Sequence, residues 1–582
     1  MNEPTPTIED LAPAAYAGPV ARTVAPRGGR FGLRWVVALI VVALVAATTA
    51  AGAWFLAGQA GTSSLAGWVP SDSVVYVEGR IDLPGDQRQQ LGNFLAHFPG
   101  FKDQSILDDK IAEAFDRAIS GATDGRHDYA TEIRPWFGGE IAGSVGPLPQ
   151  ITSSSNSPPA FRALLLAAIK DDAAADAWVA KVASDAPTPP TTVSYHGVAI
   201  RSTSTADAGG SGAVAVLDHV LLAGDLASVK AAIDTGGTSG LAANSSFASA
   251  TSRLDGDHLG AMWANMRAYL RWSASIGGVG AGAAVTQILD LAPEWVATDV
   301  RATNGDALTT RSVVPHIAAY PNIPRGPSVL PAHVPSSALA VLDAHDVGTI
   351  LKSAIETSRA TPAMARALTA VDQGLAAFGG EDAALGWIGE AAFVAVPDGD
   401  SMTGGVLVAP KDHAKADAFV RQLRNFIALG GATLGISSRD EDHGGTTIAI
   451  VKASDLARLG EPLGAPGLEG DVEVAFAARD DLVVAGSPAF VRAALDTTAD
   501  ASLGSSSRFS GSLARVGSDT TTVGWLDIAA VRGLIERSMP AGDDRTRYEH
   551  DVKPYLEPLD VLVYGQAAGS DVDTGTISLI TK

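Results

Sequence analysis

Two pairs of residues recur in this chain with types suited to binding or proton transfer. Trp136 precedes Glu140, and Trp387 precedes Glu390. An indole offers a broad apolar face with one donor, and a neighbouring carboxylate would orient a cation or a hydroxyl. Trp136, Glu140, Trp387 and Glu390 are therefore the candidates for a ligand cleft. The same residues would also serve as core anchors and as acids capping a helix or paired with arginine. Asp343, His345 and Asp346 place metal-capable groups close together, but only two of them can share one side of a strand. Asp440, Glu441, Asp442 and His443 precede Gly444-Gly445 and read as a hydrated acidic turn. Asp571, Asp573 and Gly575 resemble part of a calcium loop, yet the distal glutamate is missing and Ile580 follows in a strand-like tail, so a hairpin turn is favoured.

Other chemistry leaves no trace in the sequence. A phosphate-binding loop, an HExxH helix, a GxSxG elbow and an SxxK pair are all absent. The 582 residues include no cysteine, which removes thiolate nucleophiles, disulfides and Cys-ligated metals. No catalytic, cofactor-binding or metal-ligating residue is assigned, and no cofactor is implied. Lys and Arg number 42 against 64 Asp and Glu, a formal charge of −22. Such a chain is poorly suited to nucleic-acid phosphates and is repelled by anionic headgroups.

Hydrophobic residues make up 46% of the chain and charged residues 18%, a composition that folds. The length calls for two or more domains. Residues 1–34, rich in Pro, Ala, Gly and Thr, read as a disordered cytoplasmic tail. Residues 35–57 contain the uncharged run WVVALIVVALVAATTAAGAWFL, about 33 Å long as a helix and enough to span a bilayer core. Arg22, Arg27, Arg30 and Arg34 precede it, which keeps the N-terminus inside and the bulk outside. A cleaved signal peptide is the alternative, although the apolar run is longer than such segments require. Residues 58–68 form a linker.

The remainder is written twice. Val220–Thr235 (VLLAGDLASVKAAIDT) matches Leu482–Thr497 (LVVAGSPAFVRAALDT), and the match continues through Phe247 and Phe509 to Trp263 and Trp525. Val69-Pro70-Ser71 answers Val334-Pro335-Ser336, and Lys170-Asp171 through Val179 answers Lys411-Asp412 through Val420. Repeat 1 covers 69–314 and repeat 2 covers 334–582, joined by a Pro-rich linker, 315–333. Within a repeat, Ile106–Ile119 has helical spacing, Thr192–Arg201 and Ala213–Ala223 read as two strands, and Asn304-Gly305 reads as a hairpin turn. The stretch 162–265 is compatible with a ferredoxin-like unit. The expected fold class is α+β: one N-terminal transmembrane helix, then two homologous repeats, each an antiparallel sheet with helices on one face.

A Pro-Ser start after an apolar segment, Phe98-Pro99-Gly100, Pro135-Trp136 followed by Gly138-Gly139-Glu140, and the Ala-rich duplication resemble an uncharacterised bacterial family. That family is a domain of unknown function in exported, single-pass, internally duplicated proteins. The resemblance implies an extracytoplasmic placement and supplies no catalytic residue. The expected function is that of a membrane-anchored extracytoplasmic protein without enzymatic activity, meeting an envelope protein or a ligand and no nucleic acid. The alternative is an extracytoplasmic hydrolase using carboxylates that converge only in the fold.

Overall fold

The structure, a computed structural model, describes residues 65–582 apart from 82, 84, 123–124, 149–161, 186–188, 206–209, 255, 277–288, 360–364, 431–435, 454–471 and 480. The expected tail at 1–34, the expected membrane helix at 35–57 and the linker up to residue 64 lie outside the described residues. Among the described residues no helix is long and apolar enough to cross a membrane. From Leu65 onward the chain is part of the core: Leu65, Val69 and Trp68 are buried.

In the first half the strands are β1 (Val75–Arg80), β2 (Phe137–Val145), β3 (Ala163–Ile169), β4 (Thr191–Tyr195), β5 (Val198–Thr205), β6 (Gly210–Leu217), β7 (Val220–Asp225), β8 (Gly260–Asn265), β9 (Trp295–Thr303) and β10 (Ala307–Pro315). The second half supplies β11 (Ala340–Ala344), β12 (Ile388–Asp398), β13 (Ser401–Pro410), β14 (Ile436–His443), β15 (Thr446–Ala453), β16 (Val472–Arg479), β17 (Leu482–Gly486), β18 (Thr522–Asp527), β19 (Leu559–Ala567) and β20 (Val572–Thr581). Pairing runs β4-β5-β6-β7-β3-β2-β1-β8-β9-β10 in the first half. The second half follows the same plan, β14-β15-β16-β17-β13-β12-β11-β18-β19-β20. The two last strands then pair with each other, β10 to β20, from Ala307 opposite Ile580 to Pro315 opposite Val572.

This overturns the expected fold class. The described residues form one continuous antiparallel sheet of 20 strands, not two separate sheets, one in each repeat. The physical reason is that β10 and β20 would each be an open edge, and antiparallel pairing satisfies both at once. Polar contacts fasten the seam. Thr309 and Ser578 share a buried hydroxyl hydrogen bond of 2.8 Å. The Arg515 guanidinium reaches Asp306 at 2.7 Å, and His316 Nδ1 lies 2.9 Å from Asp573.

Helices also cover both faces instead of one. The strand β3, ALLLAAI, is apolar on both sides, the pattern of a strand buried twice. Leu164 and Leu166 enter a core with Val229 of one helix and Phe247 of another. Ala167 and Ile169 face the opposite core, with Ala175 and Val179. The helices concerned are α1 (Asp172–Ser184), α2 (Leu226–Thr235) and α3 (Ser245–Thr251). Their second-half counterparts are α4 (His413–Gly430), α5 (Pro488–Asp496) and α6 (Ser507–Leu513). Each starts where sequence chemistry calls for it. Asp171 accepts from the Ala174 amide, Asp225 from Ser228, and Ser487 from Phe490 just before a proline at the first helical turn.

The ferredoxin-like unit is not formed, because the two expected strands are four. Thr192–Arg201 turns back at His196 and Gly197, both at positive φ (50° and 83°), and Ala213–Ala223 turns at Asp218 and His219 (44° and 64°). Two-residue turns of this hand fit tight hairpins and hide inside an alternating apolar run. The expected turn at Asn304-Gly305 is present, at φ 55° and 72°.

Candidate functional site

Two clusters of buried polar side chains occupy equivalent positions in the halves. On β1 the two-residue period places Tyr76, Glu78 and Arg80 on one face. Glu78 and Arg80 are both 4% exposed. The Tyr76 hydroxyl donates to Glu78 at 2.7 Å, and His258 Nε2 lies 2.8 Å from the same carboxylate. The register sets Arg80 opposite Glu140 on β2, their charged atoms 3.8 Å apart. Burial pushes the Glu78 carboxyl up. The hydrogen bond and charge of His258, the Tyr76 hydroxyl and the charge of Arg80 outweigh burial and hold it below the usual range.

With the offset of Val69 and Val334, Glu78 corresponds to Asp343 and Arg80 to His345. Asp343 is 2% exposed on β11, and Glu390 stands on β12 beside a register shift at Ile388. The Ser328 hydroxyl bridges the two carboxyl groups, 2.5 Å from Glu390. Glu390 also accepts from the Val329 and Leu330 amides at 2.9 and 2.8 Å, and His345 Nδ1 is 3.6 Å away. Burial, then the neighbouring Glu390 charge, pushes the Asp343 carboxyl up to about 8. The geometry and this shift describe one arrangement. A protonated Asp343 donates to the Ser328 hydroxyl, which leaves that hydroxyl's own hydrogen to donate to Glu390. Chemically this is an acid beside a base, but residues 328–330 of the expected linker lie over it and use the acceptors of Glu390.

The four candidate residues are thus divided. Glu140 and Glu390 join these clusters. Trp136 and Trp387 are 4% and 3% exposed and pack in the core. Trp136 stacks on Trp178 at 5.2 Å and Trp387 on Phe419 at 5.5 Å, with interplanar angles of 39° and 38°. Trp263 and Trp525 likewise meet Phe247 and Phe509 edge-on. The run Asp440–His443 is no solvated turn. It lies on β14, with Asp440 paired to Arg424, Glu441 gripped by Arg492 at 2.7 and 2.8 Å, and His443 2.7 Å from Asp496. Asp573 accepts from Gly569 in the β19–β20 hairpin. Among the described residues no group of three or more His, Asp or Glu is arranged to hold a metal.

The sequence reading missed a cleft of about 470 Å³ between α4 and the ends of β15 and β16. Pairing of β15 with β16 stops at Ala449 and Phe476, so Thr446-Thr447 and Ala477–Arg479 splay apart. Phe476 and Val420 lie at its floor, and Arg421, Arg424, Arg479 and Asp417 line its walls. The first half splays at the same point, beyond Arg201 and Val214. There Arg201 crosses to Asp176 with two hydrogen bonds, 2.6 and 3.0 Å. Ala180, Ala183 and Leu217 stand where the second half has the three arginines. That substitution of small and apolar residues by cations was legible in the internal alignment.

No curated protein and no solved structure matches the chain. A family model described as a protein of unknown function (DUF3352) matches residues 37–543. That span is most of the 582 residues, and the chain therefore belongs to the DUF3352 family of proteins of unknown function.

Proposed function

We propose that this chain is a non-enzymatic binding protein, membrane-anchored and extracytoplasmic. The observation that carries the binding reading is the open cleft beside α4. Three arginines and one acid, Asp417, converge on an open space beside the nearly buried Phe476 and Val420, and convergent charged groups in a cleft are what orient a bound ligand. The placement rests on the arginines before the apolar run 35–57. A charge-diverse fragment screen of the purified full chain by ligand-detected NMR tests the binding reading. Ala449→Arg, which rebuilds the first-half bridge to Asp417, serves as the closed control. Fragments that bind the wild type and are lost with Ala449→Arg support the reading, whereas hits equal on both proteins refute it.

One observation favours a hydrolase instead: two buried carboxyls, Asp343 and Glu390, meet across the Ser328 hydroxyl, and burial with the Glu390 charge pushes Asp343 up. Ser328 and the two amides already occupy that pair, so a substrate would have to displace them. Turnover of chromogenic esters or glycosides that disappears in Asp343→Asn would establish the hydrolase.

A further inference from the structure

We infer that the cleft beside α4 takes a small organic anion: a carboxylate or phosphate held by arginine, on a small organic body that fills the space beside the partly covered Phe476 edge. The inference rests on the binding reading above and adds the ligand's charge and shape. The whole chain carries −22, yet the cleft wall presents three arginines against one acid, Asp417. The cations are not equally committed. Arg424 pairs with Asp440 at 2.5 Å, and Arg479 reaches Asp481 at 3.5 Å and the Leu495 carbonyl at 3.4 Å. Arg421 is exposed and has no ion-pair partner among the described residues. A planar guanidinium with all its donors available is suited to two-point binding of a carboxylate or phosphate.

The first half acts as an internal control. Its equivalent acid, Asp176, is engaged by Arg201. In the second half Ala449 replaces that arginine, so Asp417 has no bridge across the splay and the space stays open. Replacing Leu217, Ala180 and Ala183 by arginines supplies cations where the first half needs none. The volume, about 470 Å³, lies within the range of small-molecule sites and exceeds what an inorganic ion fills.

The test is a charge series on one ring. Phenyl phosphate, benzoate, benzyl alcohol and benzylamine are titrated by calorimetry into the full chain, into Arg421→Glu and into Arg421→Ala, with inorganic phosphate as a fifth arm. The expected result is binding of phenyl phosphate and benzoate and none of benzyl alcohol or benzylamine. Binding should weaken by at least about tenfold in Arg421→Ala and further in Arg421→Glu, with the melting temperature of both variants unchanged. Inorganic phosphate binding as tightly as phenyl phosphate would overturn the organic part of the inference. Alcohol or amine binding as well as the acids would overturn the charge assignment and leave the binding reading standing. Silence from all five at about 10 mM, a level that detects even millimolar affinity, would overturn both.

Discussion

Glu78 and Asp343 hold the same place in the two halves of the sheet, and their carboxyl groups are driven in opposite directions. Burial raises both. In the first half His258, Tyr76 and Arg80 surround Glu78 and bring it below the usual range. In the second half Thr520 stands at the position of His258, and the nearest charge is another acid, Glu390. The same problem, an acid inside a sheet, is thus answered once with cations and once with a retained proton. The difference teaches that a duplicated backbone fixes where a polar group is buried but leaves its protonation state to a few neighbours.

The comparison breaks most sharply at His258. In His258→Ala, Glu78 keeps the Tyr76 hydroxyl but loses the imidazole 2.8 Å away. Removing one partner of a buried pair costs about 3 kcal/mol. Urea denaturation at pH 7 should show that loss, and Glu78→Gln in the same background should recover much of it. A recovery no larger than the additive sum would mean that His258 stabilises through packing alone.

Asp343→Asn probes the other answer. The folded carboxyl, raised to about 8, binds its proton more tightly than the unfolded one, whose value is about 4. Its stabilising effect is complete below the unfolded value and is lost as pH climbs to the folded one. Wild-type stability should therefore fall between pH 5 and pH 8, and the variant should lose that slope. Glu78, shifted downward, acts in the opposite sense, protecting the first half at neutral pH and releasing it in acid. Amide exchange at pH 5 and pH 8 would separate the halves. Equal behaviour of β1 and β11 would remove the distinction.

Ser328→Ala removes the hydroxyl between the two second-half carboxyls. The expected cost is about 1 kcal/mol, the worth of one hydrogen bond. A larger part of the effect should appear locally, as faster proteolysis near residues 325–333. If proteolysis there is unchanged, the Val329 and Leu330 amides alone hold the segment on Glu390.

How much of this was readable beforehand depended on whether the information was local. Asn304-Gly305 announces its hairpin because two positive φ values are needed there. The matched tryptophans announce shared cores, since large rings must be packed the same way twice. The β10–β20 seam gave no such signal, because Thr309 and Ser578 are 269 residues apart and neither strand's pattern names its partner. Coverage on both faces was written in ALLLAAI, but an apolar run of that length also suits a buried helix. Glu140 and Glu390 were found by their repetition. Glu78 and Asp343 were not paired, because their side chains differ by a methylene and only the offset of the flanking Val-Pro-Ser motifs aligns them.

The smallest expected effect tests the two splayed clefts against each other. Ala449 lies at the position of Arg201, on the strand next to the helix carrying Asp417. An arginine placed there can follow the path of Arg201, whose stem leaves the sheet and whose guanidinium meets Asp176 at 2.6 and 3.0 Å. Ala449 is 4% exposed, so the new stem displaces contacts with the apolar floor. One bidentate pair at a half-exposed site returns a comparable amount. The net change in stability for Ala449→Arg should therefore stay within about 1 kcal/mol, while phenyl phosphate binding disappears. Adding Asp417→Ala to Ala449→Arg separates steric filling from charge pairing. If the new side chain closes the cleft by pairing with Asp417, the double variant regains ligand affinity. If filling alone closes it, affinity stays lost, and the two halves differ by volume and not by charge.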